Sequence, residues 1–258
     1  MGNTELIKAA GFYAHYGPPR KLIESVELWT LACGPARGMS ALFEGTNTHV
    51  EGVWDGDRER TEEVLTRKPV ILVSNHPQAL EPLMLLSLTP PRESISIVGA
   101  SPTKKLFGRE FGEHIIPVYK PLILEKQEDT IRRRRANMRS IDRTIDLLKH
   151  GSAVLIAPDG GEGNDVWKKG SVRLVEAALS MPEAHLIMGY VPESAQADHW
   201  KVIFKKELHR SVHVSEAINV QDLPIPQALQ AMPTGDRGKL FGFSRVLTDY
   251  YRDWTKRL

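Results

Sequence analysis

Val70-Ile71-Leu72-Val73-Ser74-Asn75-His76-Pro77-Gln78-Ala79-Leu80-Glu81-Pro82 is an apolar run of strand length that opens into a polar, proline-bounded turn. Four successive Val, Ile and Leu side chains match a strand buried on both faces, the kind found inside parallel sheets. Pro77 biases His76 towards an extended backbone, and Pro82 suits the first turn of a helix over 83–88. His76 is therefore expected to end a strand and Glu81 to open a helix. On one continuous helix the two side chains would point roughly 140° apart, since each residue turns about 100°. A loop between them lets them meet.

On either side of this segment, short apolar runs recur at 96–98, 115–118, 154–157, 186–188 and 202–204, each of strand length. Helical patterns lie between them. The clearest spans 130–149, where Ile131, Met138, Ile141, Ile145 and Leu148 trace one face. Strands alternating with helices predict an α/β fold, a mixed, largely parallel sheet covered by helices. In such sheets the chemistry gathers on loops leaving the carboxyl ends of the strands, here after Val73, Val118 and Ala157. Over 22–43 the apolar spacing predicts two short helices broken at Gly34-Pro35. Their apolar stripe is expected to pack on the core, the alternative being that Trp29, Leu42 and Phe43 enter a lipid interface. The segment 240–254 reads as an amphipathic closing helix.

The bulk composition bounds the function. At 258 residues, with 41% apolar and 26% charged side chains, one folded domain over 1–258 is expected. Within it we delimit an N-terminal helical segment at 1–45, a catalytic core at 65–220 and a C-terminal helical tail at 221–258. With 34 basic against 32 acidic residues, nothing in the total charge calls for nucleic acid. Cys33 is the single cysteine, which rules out an internal disulfide and a thiolate metal cage. No apolar run reaches the roughly 20 residues of a membrane span, and residues 1–6 lack the character of a signal peptide. A cytoplasmic location is expected, with at most peripheral attachment to the cytoplasmic face of a membrane.

A carboxylate bonded to one imidazole nitrogen fixes the tautomer and leaves the other as a general base near neutral pH. That is half of a nucleophilic triad, the substrate's hydroxyl supplying the nucleophile. On the turn's context alone, a catalytic His76 and a structural turn histidine both stand open. A serine hydrolase would need a Gly-x-Ser-x-Gly elbow, which is absent. No paired-histidine helix or other ligand cluster surrounds His76, so no metal is expected. The run Arg132, Arg133, Arg134 and Arg135, joined by Arg139 and Arg143, is read first as a solvated helix face. Anionic lipid headgroups or an acidic donor carrier are its functional alternatives.

The motifs, taken in order, resemble those of the glycerolipid acyltransferase family of the lysophosphatidic acid type. Asn75-His76, four residues, Glu81-Pro82 is similar to the family's Asn-His-x4-Asp-Pro, with one added methylene. Ile116-Pro117-Val118-Tyr119-Lys120 looks like the second motif with lysine for arginine, and Lys104-Lys105-Leu106-Phe107 echoes a segment upstream of it. Ala157-Pro158-Asp159-Gly160-Gly161-Glu162 resembles the third motif, Phe-Pro-Glu-Gly-Thr-Arg, and Trp167-Lys168-Lys169-Gly170 resembles the family's residues downstream of that motif. The resemblance covers roughly 70–170, with weaker similarity to about residue 218. Asp159 and Glu162 depart from the third motif, and Met188 stands where a fourth-motif proline is expected.

The resemblance implies an acyl transfer from a thioester to a hydroxyl of a glycerophospholipid precursor such as 1-acylglycerol-3-phosphate. His76 and Glu81 would be catalytic, and Lys105, Lys120, Asp159, Gly160, Gly161, Lys168 and Lys169 would bind substrate. Backbone N–H groups around Gly160 and Gly161 would supply donors for the oxyanion. No bound cofactor is implied; acyl-CoA or acyl carrier protein enters as the donor substrate. The partners implied are that donor, the lipid acceptor and a membrane surface touched peripherally. The alternative is a catalytically inactive lipid- or acyl-binding protein with the same fold.

Overall fold

A computed structural model of the chain describes residues 20–75, 80–92, 94–119, 127–159, 166–192, 207–234 and 236–258. Helices α1 (Arg20–Cys33) and α2 (Pro35–Gly45) lead into strand β1 (Thr48–Trp54) and helix α3 (Arg58–Arg67). Next come β2 (Val70–Ser74), α4 (Glu81–Ser87), β3 (Ile95–Ala100), a 3-10 turn at Ser101–Lys105, α5 (Arg109–Glu113) and β4 (Ile115–Val118). The long helix α6 (Gln127–Lys149), β5 (Ala153–Ile156), α7 (Lys169–Ala178) and β6 (His185–Tyr190) complete the parallel unit. Strands β7 (Leu208–Val214) and β8 (Ile218–Asn219) and helices α8 (Gln227–Gln230) and α9 (Arg237–Thr255) close the chain.

The sheet runs β1-β7-β6-β2-β5-β3-β4, with β8 also on β6. Strands β6, β2, β5, β3 and β4 are mutually parallel, β7 is antiparallel to β6, and β1 is parallel to β7. The mixed α/β architecture expected from the sequence is the one observed. Along β2 the side chains alternate between two layers, as the two-residue period requires. Val70 and Leu72 pack with Met39, Leu42, Leu83 and Phe107 on one face, while Ile71 and Val73 pack with Leu148, Val175, Phe243 and Trp254 on the other. Between Leu186↔Ile218 and Gly189↔Val214 the register slips by one residue. Ser215 fills the slip, its N–H donating to Met188 O (2.8 Å) and its hydroxyl accepting from Met188 N (2.9 Å).

Gly34, at φ 86°, separates α1 from α2, with Pro35 starting the second helix. The predicted break is there, but the stripe divides: Leu42 and Phe43 are buried, whereas Trp29 is 37% exposed beneath the Arg37 guanidinium, 4.7 Å from its ring. Leu42 and Phe43 are therefore core residues, unavailable to a lipid interface.

One predicted face is corrected. Ile131 and Met138 are exposed, and the buried positions of α6 are Ser140, Thr144 and Leu148. The reason is length: 23 residues span about 35 Å, whereas the four-residue strands β4 and β5 span about 13 Å. Since α6 runs antiparallel to the strands, its first half overhangs their carboxyl edge. Strands β1 and β8 and helices α3 and α7 are not among the elements that periodicity predicts, and β7 falls where the family resemblance, not periodicity, implies a strand near Val212. The run at 202–204 lies outside the described residues.

At the opposite edge Arg92, 8% exposed, donates to Leu65 O (2.6 Å), Lys68 O (2.8 Å), Gly151 O and Ser94 Oγ (2.9 Å). One guanidinium thus joins the end of α3, the start of β2 and the turn before β5. Burial lowers its pKa from the ordinary arginine value.

Candidate active site

Five parallel strands deliver their carboxyl ends to one edge of the sheet, and the exit of β2 lies between those of β5 and β6. There the chain leaves β2 at Asn75. Asn75 is 6% exposed, and its Nδ2 donates to Val191 O (2.7 Å) while its Oδ1 accepts from Val191 N (2.9 Å). Its own N–H donates to the Tyr251 hydroxyl (3.1 Å), which in turn donates to Gly189 O (2.7 Å). An amide and a phenol thereby satisfy backbone groups that neither strand can pair at its end. Gly189 lets α4 pack close to β6, since a Cβ there would meet Leu85 Cδ2 at 2.5 Å and the leucine side chain would have to move.

Glu81 opens α4 and is 2% exposed; Asp159 follows β5 and is also 2% exposed. Two carboxylates are thus withdrawn from water on the loops of neighbouring strands. The partial positive charge of the first turn of a helix favours an anion at Glu81. Just before Asp159, Pro158 O accepts from Lys168 N (2.8 Å) and from Ser171 Oγ (3.1 Å), tying the end of β5 to the start of α7. Trp167 ties the start of α7 to α9: its N–H donates to Thr248 Oγ1 (3.1 Å) and its carbonyl accepts from Ser244 Oγ (2.6 Å).

At the same carboxyl edge a cavity of about 680 Å³ opens between the ends of β3, β4 and β5 and helices α4, α6 and α7, with Pro82 and Ala157, but neither carboxylate, in its lining. Leu83, Ile97, Phe107, Ile141, Leu155 and Leu174 supply apolar walls, and Arg133, Lys168 and Lys169 supply positive charge. The charged residues come from the parts of α6 and α7 that lie at the carboxyl edge. A volume of this size is within the range of small-molecule sites, and an apolar hollow with a few convergent polar groups is their usual form. Asn137 of α6 holds the exit of β4 as Asn75 holds that of β6, accepting from Tyr119 N (2.8 Å) and donating to Tyr119 O (3.0 Å). Ser140 adds a bond to Pro117 O (2.7 Å).

No protein-family model matches the chain, and no curated protein matches its sequence. Among solved structures it is similar to the 1-acyl-sn-glycerophosphate acyltransferase PlsC from Thermotoga maritima. The TM-score is 0.48 and the identity 12%, over 92% of this chain and 80% of that one. At that level of similarity only the residues of this chain can carry a functional inference.

Of the residues singled out in the sequence, Glu81 and Asp159 are brought to the carboxyl edge, and half-buried Lys168 and exposed Lys169 line the cavity. Lys105 is exposed at the end of the 3-10 turn whose Thr103 lines it. His76, Lys120, Gly160 and Gly161 lie outside the described residues. Within the arginine run, the solvated-face reading holds for Arg132, Arg134, Arg135, Arg139 and Arg143, while Arg133 is half-buried and turned to the cavity. Sequence reasoning misses Asn137 and Tyr251. Polar residues inside predicted helices are the available signal, but their partners are distant in sequence.

Proposed function

We propose that this chain is an O-acyltransferase that moves a fatty acyl group from an acyl thioester to a hydroxyl of a glycerophospholipid precursor such as 1-acylglycerol-3-phosphate. The observation that carries the reading is the burial of Glu81 at the start of α4, five positions after His76 in the sequence. A carboxylate in that position serves a neighbouring imidazole by fixing its tautomer and stabilising its protonated form. His76 takes the proton from the acceptor hydroxyl as that oxygen forms a bond to the thioester carbonyl carbon. The tetrahedral intermediate then expels the thiolate, which leaves with the proton held by His76, so the scheme balances without a metal or redox partner.

The apolar cavity suits the acyl chain, and Lys168, Lys169 and Arg133 at the same edge suit a phosphate. Lys105 and Lys120 belong to the same proposed headgroup site, and Asp159 with Gly160 and Gly161 to the acceptor-hydroxyl and oxyanion side. Coenzyme A and acyl carrier protein are both donors that fit. Among the described residues no helix is long and apolar enough to cross a membrane. Leu28 and Leu31 of α1 stand 64% and 71% exposed, and peripheral contact with a membrane is proposed there.

The test measures free thiol on mixing the purified protein with acyl-CoA and 1-acylglycerol-3-phosphate. Acceptor-dependent release, slowed about 10²–10⁴-fold by His76→Ala, is the expected outcome. Retention of full activity in His76→Ala would falsify the assignment. Acyl binding without turnover under any acceptor would leave the inactive lipid-binding reading in its place.

A further inference from the structure

At the outer end of the sheet, β1 and β7 place two imidazoles opposite one another. His49 and His209 are paired in register on these parallel strands, and their side chains are exposed. The rings stack with centroids 4.8 Å apart and planes 15° from parallel. Glu207, two residues before His209, comes to the same place: its Oε1 lies 3.4 Å from His49 Nε2 and 3.3 Å from His209 Nε2. The three potential ligand atoms lie within 4.8 Å of one another.

These separations are those of ligands around a small cation more than those of hydrogen bonds. A charge-assisted N–H to carboxylate bond brings the heavy atoms to about 2.7–2.9 Å. Two ligands each about 2.0–2.1 Å from a tetrahedral zinc ion stand about 3.3–3.4 Å apart. Both imidazole-to-carboxylate distances have that value; the two stacked rings must turn about their side-chain bonds, out of the stack, for both nitrogen lone pairs to converge on one ion. Exposed side chains make that adjustment cheaply. The backbone has already set the histidine pair, since opposite residues on neighbouring strands share a face, and Glu207, just before β7, reaches both rings.

We propose that His49, His209 and Glu207 form a binding site for a divalent transition metal ion, zinc above all. Two imidazoles and a carboxylate are a borderline donor set that suits Zn²⁺, with Cu²⁺, Ni²⁺ and Co²⁺ as competitors. His49 and His209 also line a polar recess of about 340 Å³ with Arg37, Ser40, Glu51 and Ser211, which leaves room for water at the remaining position. The ion would clip the first strand of the sheet to the beginning of β7, closing a long loop of chain. From the sequence no metal is expected on the strength of the surroundings of His76 alone, and positions 49 and 207 stand too far apart for a spacing rule to join them.

The test uses the full chain, free of any affinity tag and stripped of metal, titrated with Zn²⁺ alone by calorimetry. One equivalent is expected to bind and to raise the thermal midpoint. His49→Ala and, separately, Glu207→Gln are expected to weaken that equivalent by at least about tenfold, since even loss of a ligand's supporting partner has such an effect. Because all three side chains are exposed, the metal-free variants should unfold at the wild-type midpoint. Co²⁺ loaded into the wild type should give the intense visible absorption of a four-coordinate ion, lost in His209→Ala. Zinc uptake equal to wild type in the His49→Ala, His209→Ala double variant would overturn the proposal, as would no uptake by the wild type.

Discussion

Asn75 and Val191 are joined through both of their polar groups, side-chain amide to backbone amide, at the point where β2 and β6 leave the sheet. The arrangement copies one rung of a ladder with a side chain in place of a strand. Asn75→Ala leaves a buried N–H and a buried C=O of Val191 unpaired. A loss of about 2–4 kcal/mol is expected from two orphaned groups, measured by urea unfolding. Activity of the proposed kind should fall further than stability, since the adjacent residue is His76.

Tyr251→Phe removes one oxygen and no volume from the core. The hydroxyl both accepts from Asn75 N and donates to Gly189 O, so the variant should be about 1–3 kcal/mol less stable. In a double-mutant cycle with Asn75→Ala the effects should fall short of additive, because the hydroxyl accepts from the backbone N–H of the residue whose side chain holds Val191, and both bonds fix the same strand ends. Full additivity would show that the network is not shared.

Arg92→Met keeps much of the aliphatic stem and removes the four bonds of the guanidinium. Three backbone carbonyls then lose a charged donor, and about 3 kcal/mol or more of stability should go with them. Arg92→Lys should recover only part, since an ammonium cannot reproduce the planar fork. Equal stability of wild type and Arg92→Met would refute the clasp.

Ile141 stands on the cavity wall, and its Cδ1 lies 3.1 Å from where a Cβ on Gly170 would be. Ile141→Phe should therefore fill part of the hollow. If that hollow holds the acyl chain, the preference among acyl-CoA substrates should move to shorter chains by roughly tenfold in kcat/KM, with folding retained. An unchanged chain-length profile would place the acyl chain elsewhere.

The hydrogen bond from Lys68, and secondarily its charge, holds the Glu183 carboxyl below the usual glutamate range. A depressed folded pKa contributes stability that is present above the unfolded value, about 4.3, and is lost as pH falls through the folded one. Glu183→Gln should thus be slightly less stable than wild type at neutral pH, and the gap should close in acid. Both groups are exposed, so salt should shrink it too.

The sequence makes the central strands legible because burial on both faces leaves nothing but apolar residues, as in Val70-Ile71-Leu72-Val73 and Ala153-Val154-Leu155-Ile156. It conceals β1, an edge strand whose His49, Glu51 and Val53 face solvent. It also conceals α3, where only Thr61 and Leu65 are buried among charges. Glu81 at a helix start is readable from Pro82, a local constraint. Asn75 meeting Val191, or Asn137 meeting Tyr119, is not, because such pairs are created by the sheet order and leave no local mark.

The hydroxyl of Tyr251 reaches the β2 exit from 176 positions further along the chain. During synthesis the ribosome delivers that exit roughly ten to thirty-five seconds ahead of its anchor, at ordinary elongation rates. A nascent polypeptide therefore carries an unfinished turn until nearly all of α9 has emerged. Proteolytic clipping of α9 would return a finished molecule to the same incomplete condition.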